Sequence, residues 1–113
     1  PFAAATFDVA LCALSIEYLS RPEAVLREVK RALKPGGVCV VSFSERWFPP
    51  KAVHPWPTLH PFARVAWVLR HLQRAGFAAL HTESQRGRPR PADDKYIRQT
   101  RFADPLYAVW GAA

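Results

Sequence analysis

A small number of residues in this 113-residue chain carry side chains suited to chemistry. Cys12 and Cys39 are thiols, and His54 and His60 are imidazoles able to act as a general base near neutral pH. A surface histidine without a role is the competing reading for both. Two cysteines without CxxC spacing do not make a zinc site, and the two histidines fit no standard metal pattern and have no third ligand nearby in sequence. A metal site is therefore not expected. Trp47, Phe48 and Trp56 lie among Pro49, Pro50, Pro55 and Pro57. They suit either one wall of a ligand pocket or a cluster that pins a loop to a sheet. From Arg86 to Arg101 the chain is polar and rich in arginine, with Tyr96 and Phe102 close by. Such a loop can meet RNA phosphates and stack on bases, or simply be a solvated basic surface. Asp93 and Asp94 have basic neighbours to pair with and are given no role.

The elements that must position these residues follow from hydrophobic pattern. An apolar run predicts a first strand from about Phe7 to Ala13, covered by helices on both faces. Ser20 to Lys34 reads as a helix, with Ser20 as N-cap, Glu23 completing a capping box, and Val25, Leu26, Val29, Ala32 and Leu33 as its buried stripe. Pro35 ends that helix, Gly36 and Gly37 allow the turn, and Val38 to Phe43 forms a second strand. Strand, helix and strand in this order specify a right-handed parallel crossover. Parallel sheets bind ligands beyond the carboxyl ends of their strands, so function is expected just after Leu11 and just after Phe43. Ser44 to His60 reads as an irregular excursion. Pro61 opens a second helix bearing Phe62, Val65, Ala66, Leu69 and Leu72, and Gly76 stops it. Phe77 to Glu83 and Leu106 to Trp110 are the last two strands, expected as antiparallel neighbours because no helix joins them.

The chain is 50% hydrophobic, which suits a folded core, and carries a formal net charge of +7. Its basic residues are spread along helices and one loop rather than massed in a block. No apolar stretch is long enough to span a bilayer. Cys12 and Cys39 fall inside predicted strands, as buried thiols of a reducing, cytoplasmic setting would. There is no methionine, and the abrupt opening with a strand predicts a piece of a longer protein.

Several strings carry a family resemblance: Pro1-Phe2, Thr6-Phe7-Asp8-Val9, Glu17-Tyr18-Leu19, Pro22-Glu23-Ala24-Val25-Leu26-Arg27-Glu28, Leu33-Lys34-Pro35-Gly36-Gly37 and Asp104-Pro105-Leu106-Tyr107-Ala108-Val109-Trp110. Together they resemble the second half of class I S-adenosylmethionine-dependent methyltransferases, most closely the type 11 group. The resemblance implies an α/β fold: a partial Rossmann-like methyltransferase sheet made of strands four to seven, the last antiparallel between the fifth and sixth, with flanking helices. It implies that residues 1–113 are the carboxyl-terminal part of one methyltransferase domain. The Gly-rich turn and the acidic ribose-holding residue of the amino-terminal half would lie elsewhere. Such a piece would be inactive alone and would self-associate through an uncovered first strand. The implied cofactor is S-adenosyl-L-methionine, with an unidentified methyl acceptor. The backbone at Cys12 and Ala13 would face the methionine half of the cofactor, and Ser15 and Tyr18 would flank the reaction centre. Against these roles, Cys12 and Ala13 read equally as strand filler, and Tyr18 as packing against the helix. The second class of function left open is a basic nucleic-acid or protein interaction module on a degenerate methyltransferase fold.

Overall fold

The computed structural model describes residues 2–113. Pro1, the first residue of the Pro1-Phe2 match, lies outside the described residues. Four strands form one mixed sheet: β1 (Phe7–Ala13), β2 (Leu33–Ser44), β3 (Ala78–Gln85) and β4 (Leu106–Ala112). Two helices, α1 (Pro22–Ala32) and α2 (Pro61–Arg74), connect them. The spatial order is β1-β2-β4-β3. β1 and β2 run parallel, with Val9 opposite Val38 and Ala13 opposite Ser42. β4 is antiparallel to both β2 and β3, so the last strand sits inside the sheet as expected.

The β1–α1–β2 crossover forms where the sequence places it, with two local differences. Arg21, not Ser20, occupies the N-cap position, and no side chain caps the helix. Pro22 sits in the first turn, where its missing N–H costs nothing. Glu23 pairs forward with Arg27 instead of reaching back to the cap. The second difference is the start of β2 at Leu33. Phe7 pairs with Leu33 and Val9 with Val38, so the Lys34–Gly37 segment bulges out of the ladder. Gly36 adopts φ +81°, and a Cβ at Gly37 would meet the Lys34 carbonyl oxygen at 2.9 Å. Only glycines fit this pair of positions without strain. Asp8, the single charged residue in β1, meets Lys34 across the bulge at 3.3 Å.

Along β2, Cys39, Val41 and Phe43 are buried and alternate with half-buried residues. They join Tyr107 and Val109 of β4, Leu26 of α1 and Val68 and Leu72 of α2 in one core. Burying aliphatic and aromatic side chains of this size contributes about 1.5–3 kcal/mol each. Helix α2 presents Arg64, Val68 and Leu72 inward, while Phe62 is exposed. The expected stripe through Phe62 and Ala66 is thus rotated: the helix face is set by what lies beneath it, the indoles of Trp47 and Trp56, which accept a guanidinium.

α1 and α2 touch each other and cover the same face of the sheet. The expectation of helices on both faces does not hold among the described residues. Ala10 and Cys12 pack on the core, so by strand alternation Val9 and Leu11 point to the uncovered face. They are 54% and 75% exposed. The outer edge of β1 carries no partner strand among the described residues. The radius of gyration is 15.6 Å, against about 13 Å for a compact domain of this length.

Candidate functional site

The parallel pair ends at Ala13 and Ser42, and both chain continuations turn over the same end of the sheet. Leu14 adopts φ 53°, a left-handed conformation that costs a branched residue about 1 kcal/mol. Its N–H donates to the Ser42 carbonyl at 2.9 Å, which fastens the turn to β2. A 3₁₀ turn follows at Ile16–Tyr18, anchored by Ile16 in the core. The excursion after β2 is tied to this turn at two points. The Glu17 carbonyl accepts from Val53 N–H at 2.8 Å, and the Tyr18 hydroxyl oxygen accepts from Phe48 N–H at 2.8 Å.

Between the two continuations lies a cleft of about 710 Å³. Leu14, Glu17 and Tyr18 line one side, and Ser44 to Pro49 line the other. It occupies the place where the sheet topology calls for a ligand site, past both strand ends. The Tyr18 and Phe48 rings lie 6.4 Å apart across it. Tyr18 therefore packs against the excursion rather than the helix.

Glu17 is the least expected member of this cleft. It is 1% exposed, and its Oε2 has no hydrogen-bond partner among the described residues. Burial pushes its carboxyl above the ordinary range; its own backbone N–H and Arg64 counteract this only in part. Arg64 is 6% exposed. Its Nε donates to the Trp56 carbonyl at 3.1 Å, and its guanidinium lies 5.5 Å from the Trp47 ring centre and 5.2 Å from that of Trp56. Burial lowers its pKa, while Glu45, Glu17 and Tyr107 act in the opposite direction. Tyr107 donates its hydroxyl to Glu45 Oε1 at 3.1 Å, and burial, then this bond, push its phenol upward. Two carboxylates and three aromatic rings thus face one cleft in a chain whose overall charge is +7.

Of the residues singled out from the sequence, Tyr18 lines the cleft. Cys12 is half-buried against the core, Ala13 is exposed at the strand end, and the Ser15 hydroxyl donates to the Ala13 carbonyl at 2.7 Å. Burial pushes the Cys12 thiol up, with the Glu17 charge adding to it, and pushes Cys39 up to about 11. Both cysteines are free thiols, and neither is a ready nucleophile at neutral pH. His60 is the N-cap of α2: its Nδ1 accepts from Phe62 N–H at 3.2 Å. His54 is exposed, and neither histidine lines the cleft. The aromatic trio divides. Trp56 is buried edge-on against Phe43, Trp47 stacks with Arg64, and Phe48 remains 68% exposed at the cleft.

The basic loop folds back on itself. Pro89 bridges Phe102, and Arg90 pairs with Asp94. Tyr96 is engaged by Arg46, Arg90 and Lys95 over its ring, and Arg46 also pairs with Asp104. Tyr96 is therefore already occupied from within, while Phe102 is 46% exposed. No helix of the described residues is long and apolar enough to cross a membrane.

Comparison with known proteins agrees with this geometry. A family model described as a methyltransferase domain matches residues 1–41. Sterol 4-C-methyltransferase strm-1 of Caenorhabditis elegans is 33% identical over 88 residues, which are 75% of this chain and 23% of that protein. A solved SAM-dependent methyltransferase of Thermotoga maritima, described as a possible histamine N-methyltransferase, superposes with a TM-score of 0.67 at 19% identity, over 99% of this chain and 58% of that one. A SAM-dependent methyltransferase of Archaeoglobus fulgidus gives a TM-score of 0.63 at 14% identity, over 99% of this chain and 62% of that one. The chain thus spans little more than half the length of these structures and about a quarter of the curated relative.

Proposed function

From a chain with the fold of class I methyltransferase domains, we propose that it serves S-adenosyl-L-methionine-dependent methyl transfer to an acceptor, as the carboxyl-terminal part of a larger methyltransferase domain. The observation that carries the reading is the cleft between the ends of β1 and β2. It lies past a parallel strand pair, and its carboxylates and aromatic rings suit a cationic ligand. Backbone carbonyls at the end of β1 and the aromatic rings beside them fit the cofactor, whose methionine end bears an ammonium and a sulfonium. When bound, that group supplies an activated methyl carbon.

The roles proposed for this chain are positional. The backbone at Cys12 and Ala13 holds the methionine half, and Ser15 and Tyr18 flank the reacting centre. Tyr18 keeps its ring at the cleft because its hydroxyl is fixed by Phe48 N–H. Loop closure over the strand ends orients the two reactants, and orientation of this kind is worth up to about 7–11 kcal/mol in the best cases. His54 and His60 are not assigned the work of a base, since they stand away from the cleft. The larger-domain part of the proposal is supported by the open β1 edge and by the exposed Val9 and Leu11, which a neighbouring strand and helix would cover. Calorimetry with S-adenosylhomocysteine on the protein in which this chain is joined to a complete sheet tests the reading. Saturable heat that is weakened several-fold by Tyr18→Ala is expected. No heat in the folded protein would overturn it.

A further inference from the structure

The cleft has a charge balance that its own protein atoms leave incomplete. Glu17 is fully buried, lines the cleft, and leaves Oε2 without a partner. An unpaired buried carboxylate oxygen costs on the order of a few kcal/mol, so a structure that keeps one has a use for it. None of the neighbouring cations forms an ion pair with it among the described residues. Arg46 is held by Asp104 and lies 4.9 Å from the Tyr96 ring centre. Arg64 spends its Nε on the Trp56 carbonyl and its face on two indoles. A second acidic side chain, Glu45, borders the same cleft, and among the described residues it accepts from the Tyr107 hydroxyl. Tyr18, Trp47 and Phe48 supply aromatic surface beside both acids.

Resting on the functional reading above, we propose that the acceptor bound in this cleft carries a cationic amine, recognised by Glu17 and Glu45 and walled by Tyr18, Trp47 and Phe48. An ammonium satisfies the free Oε2 with a charge-assisted hydrogen bond and places its charge against aromatic faces. An anionic or neutral acceptor head leaves the carboxylate unpaired. Arg46 also borders the cleft but is paired with Asp104, so the two acidic side chains are left to discriminate against anions at short range. The other ionisable groups around Glu17 are Cys12 on β1, Arg64 on α2, Glu45 and Arg46 after β2, Tyr18 beside it and Tyr107 on β4. Burial raises the Glu17 carboxyl above its ordinary range, so amine binding strengthens as pH rises and the carboxyl ionises.

The test is a calorimetric titration of this chain with phenethylamine and with its uncharged isostere, phenethyl alcohol, at slightly alkaline pH. The amine is expected to bind about tenfold more tightly or better. That preference should disappear in Glu17→Gln, while Phe48→Ala weakens both ligands alike. Equal affinities in the wild type, or an undiminished preference in Glu17→Gln, overturn the proposal. Should Glu17→Gln fail to fold, carbon NMR of the wild-type Glu17 carboxyl decides: saturating phenethylamine lowers its titration midpoint, and an unmoved midpoint refutes the assignment. If S-adenosylmethionine moves that midpoint and the amine does not, Glu17 answers to the cofactor. The amine inference then falls, and the methyltransferase reading stands. Amine preference together with no S-adenosylhomocysteine binding in the completed protein sinks the functional reading alone.

Discussion

Replacing Arg64 with methionine probes how the excursion and α2 support the cleft. Arg64 is 6% exposed, donates to the Trp56 carbonyl, and is stacked on two indoles. A hydrogen bond from a charged donor contributes about 1.5–3 kcal/mol, and a desolvated cation–π contact about 2 kcal/mol. Methionine fills much of the same volume and avoids the several kcal/mol needed to bury a guanidinium. The Trp56 carbonyl is not orphaned, because Leu59 N–H also donates to it at 3.1 Å. The net loss expected for Arg64→Met at neutral pH is therefore about 2 kcal/mol, which moves a urea midpoint down by about 1 M. Part of that loss comes from Glu17, whose ionised form Arg64 favours. In a Glu17→Gln background the same substitution should cost about 1 kcal/mol less, a coupling of ordinary size for groups in one network. Urea unfolding of the four proteins, followed by tryptophan fluorescence, measures both quantities. An Arg64→Met protein as stable as wild type, or a cycle with zero coupling, would refute the electrostatic link between α2 and the cleft.

Glu17→Gln alone should stabilise the chain in a pH-dependent way. The folded-state carboxyl titrates above its unfolded value. Below the unfolded value both states are protonated and the variant gains little; as pH rises through the folded-state midpoint the wild type loses stability and the gain grows to about 1 kcal/mol. A gain that is constant from acid to neutral pH would contradict the assignment. Both thiols should alkylate slowly at neutral pH, Cys39 more slowly than Cys12, as mass spectrometry after timed iodoacetamide treatment would show; fast labelling of Cys39 would deny its burial. The isolated chain should self-associate through β1 and its apolar face, and Leu11→Lys should shift light scattering towards the monomer. A wild-type monomer at high concentration would be incompatible with that edge being available.

Much of the scaffold was legible because local signals and global fold agree. β1 has the bounds its apolar run gives, and the Leu33–Gly37 string marks the return into a parallel strand. The absence of helical pattern after Gln85 correctly implied an antiparallel β3–β4 pair. What sequence did not show are choices made by tertiary context. Ser20 and Glu23 form a good capping box on paper, but Pro22 lets the helix start one residue later and Glu23 has Arg27 within reach. Hydropathy assigns Arg64 to solvent, whereas two indoles beneath α2 draw it inward and rotate the helix. His60 looks like a base until its ring is seen capping α2. A cleft lies past the ends of β1 and β2, where a parallel pair directs attention, and Tyr18 lines it. Glu17 was noticed only as part of a motif, although an acidic residue between Ile16 and Tyr18, just past a buried strand, was the available signal. That one of its oxygens lacks a partner is a property of the packed molecule and has no trace in the sequence.

The most direct test of the central claim, that the space past the ends of β1 and β2 is the cofactor end of a methyltransferase site, is a two-dimensional amide NMR titration with S-adenosylhomocysteine of the protein in which this chain is joined to a complete sheet, followed at this chain's own amides. The account predicts saturable shifts confined to Cys12 through Tyr18 and to the Ser44–Phe48 segment. Shifts centred instead on the Arg86–Arg101 loop, or none at millimolar ligand, would contradict it.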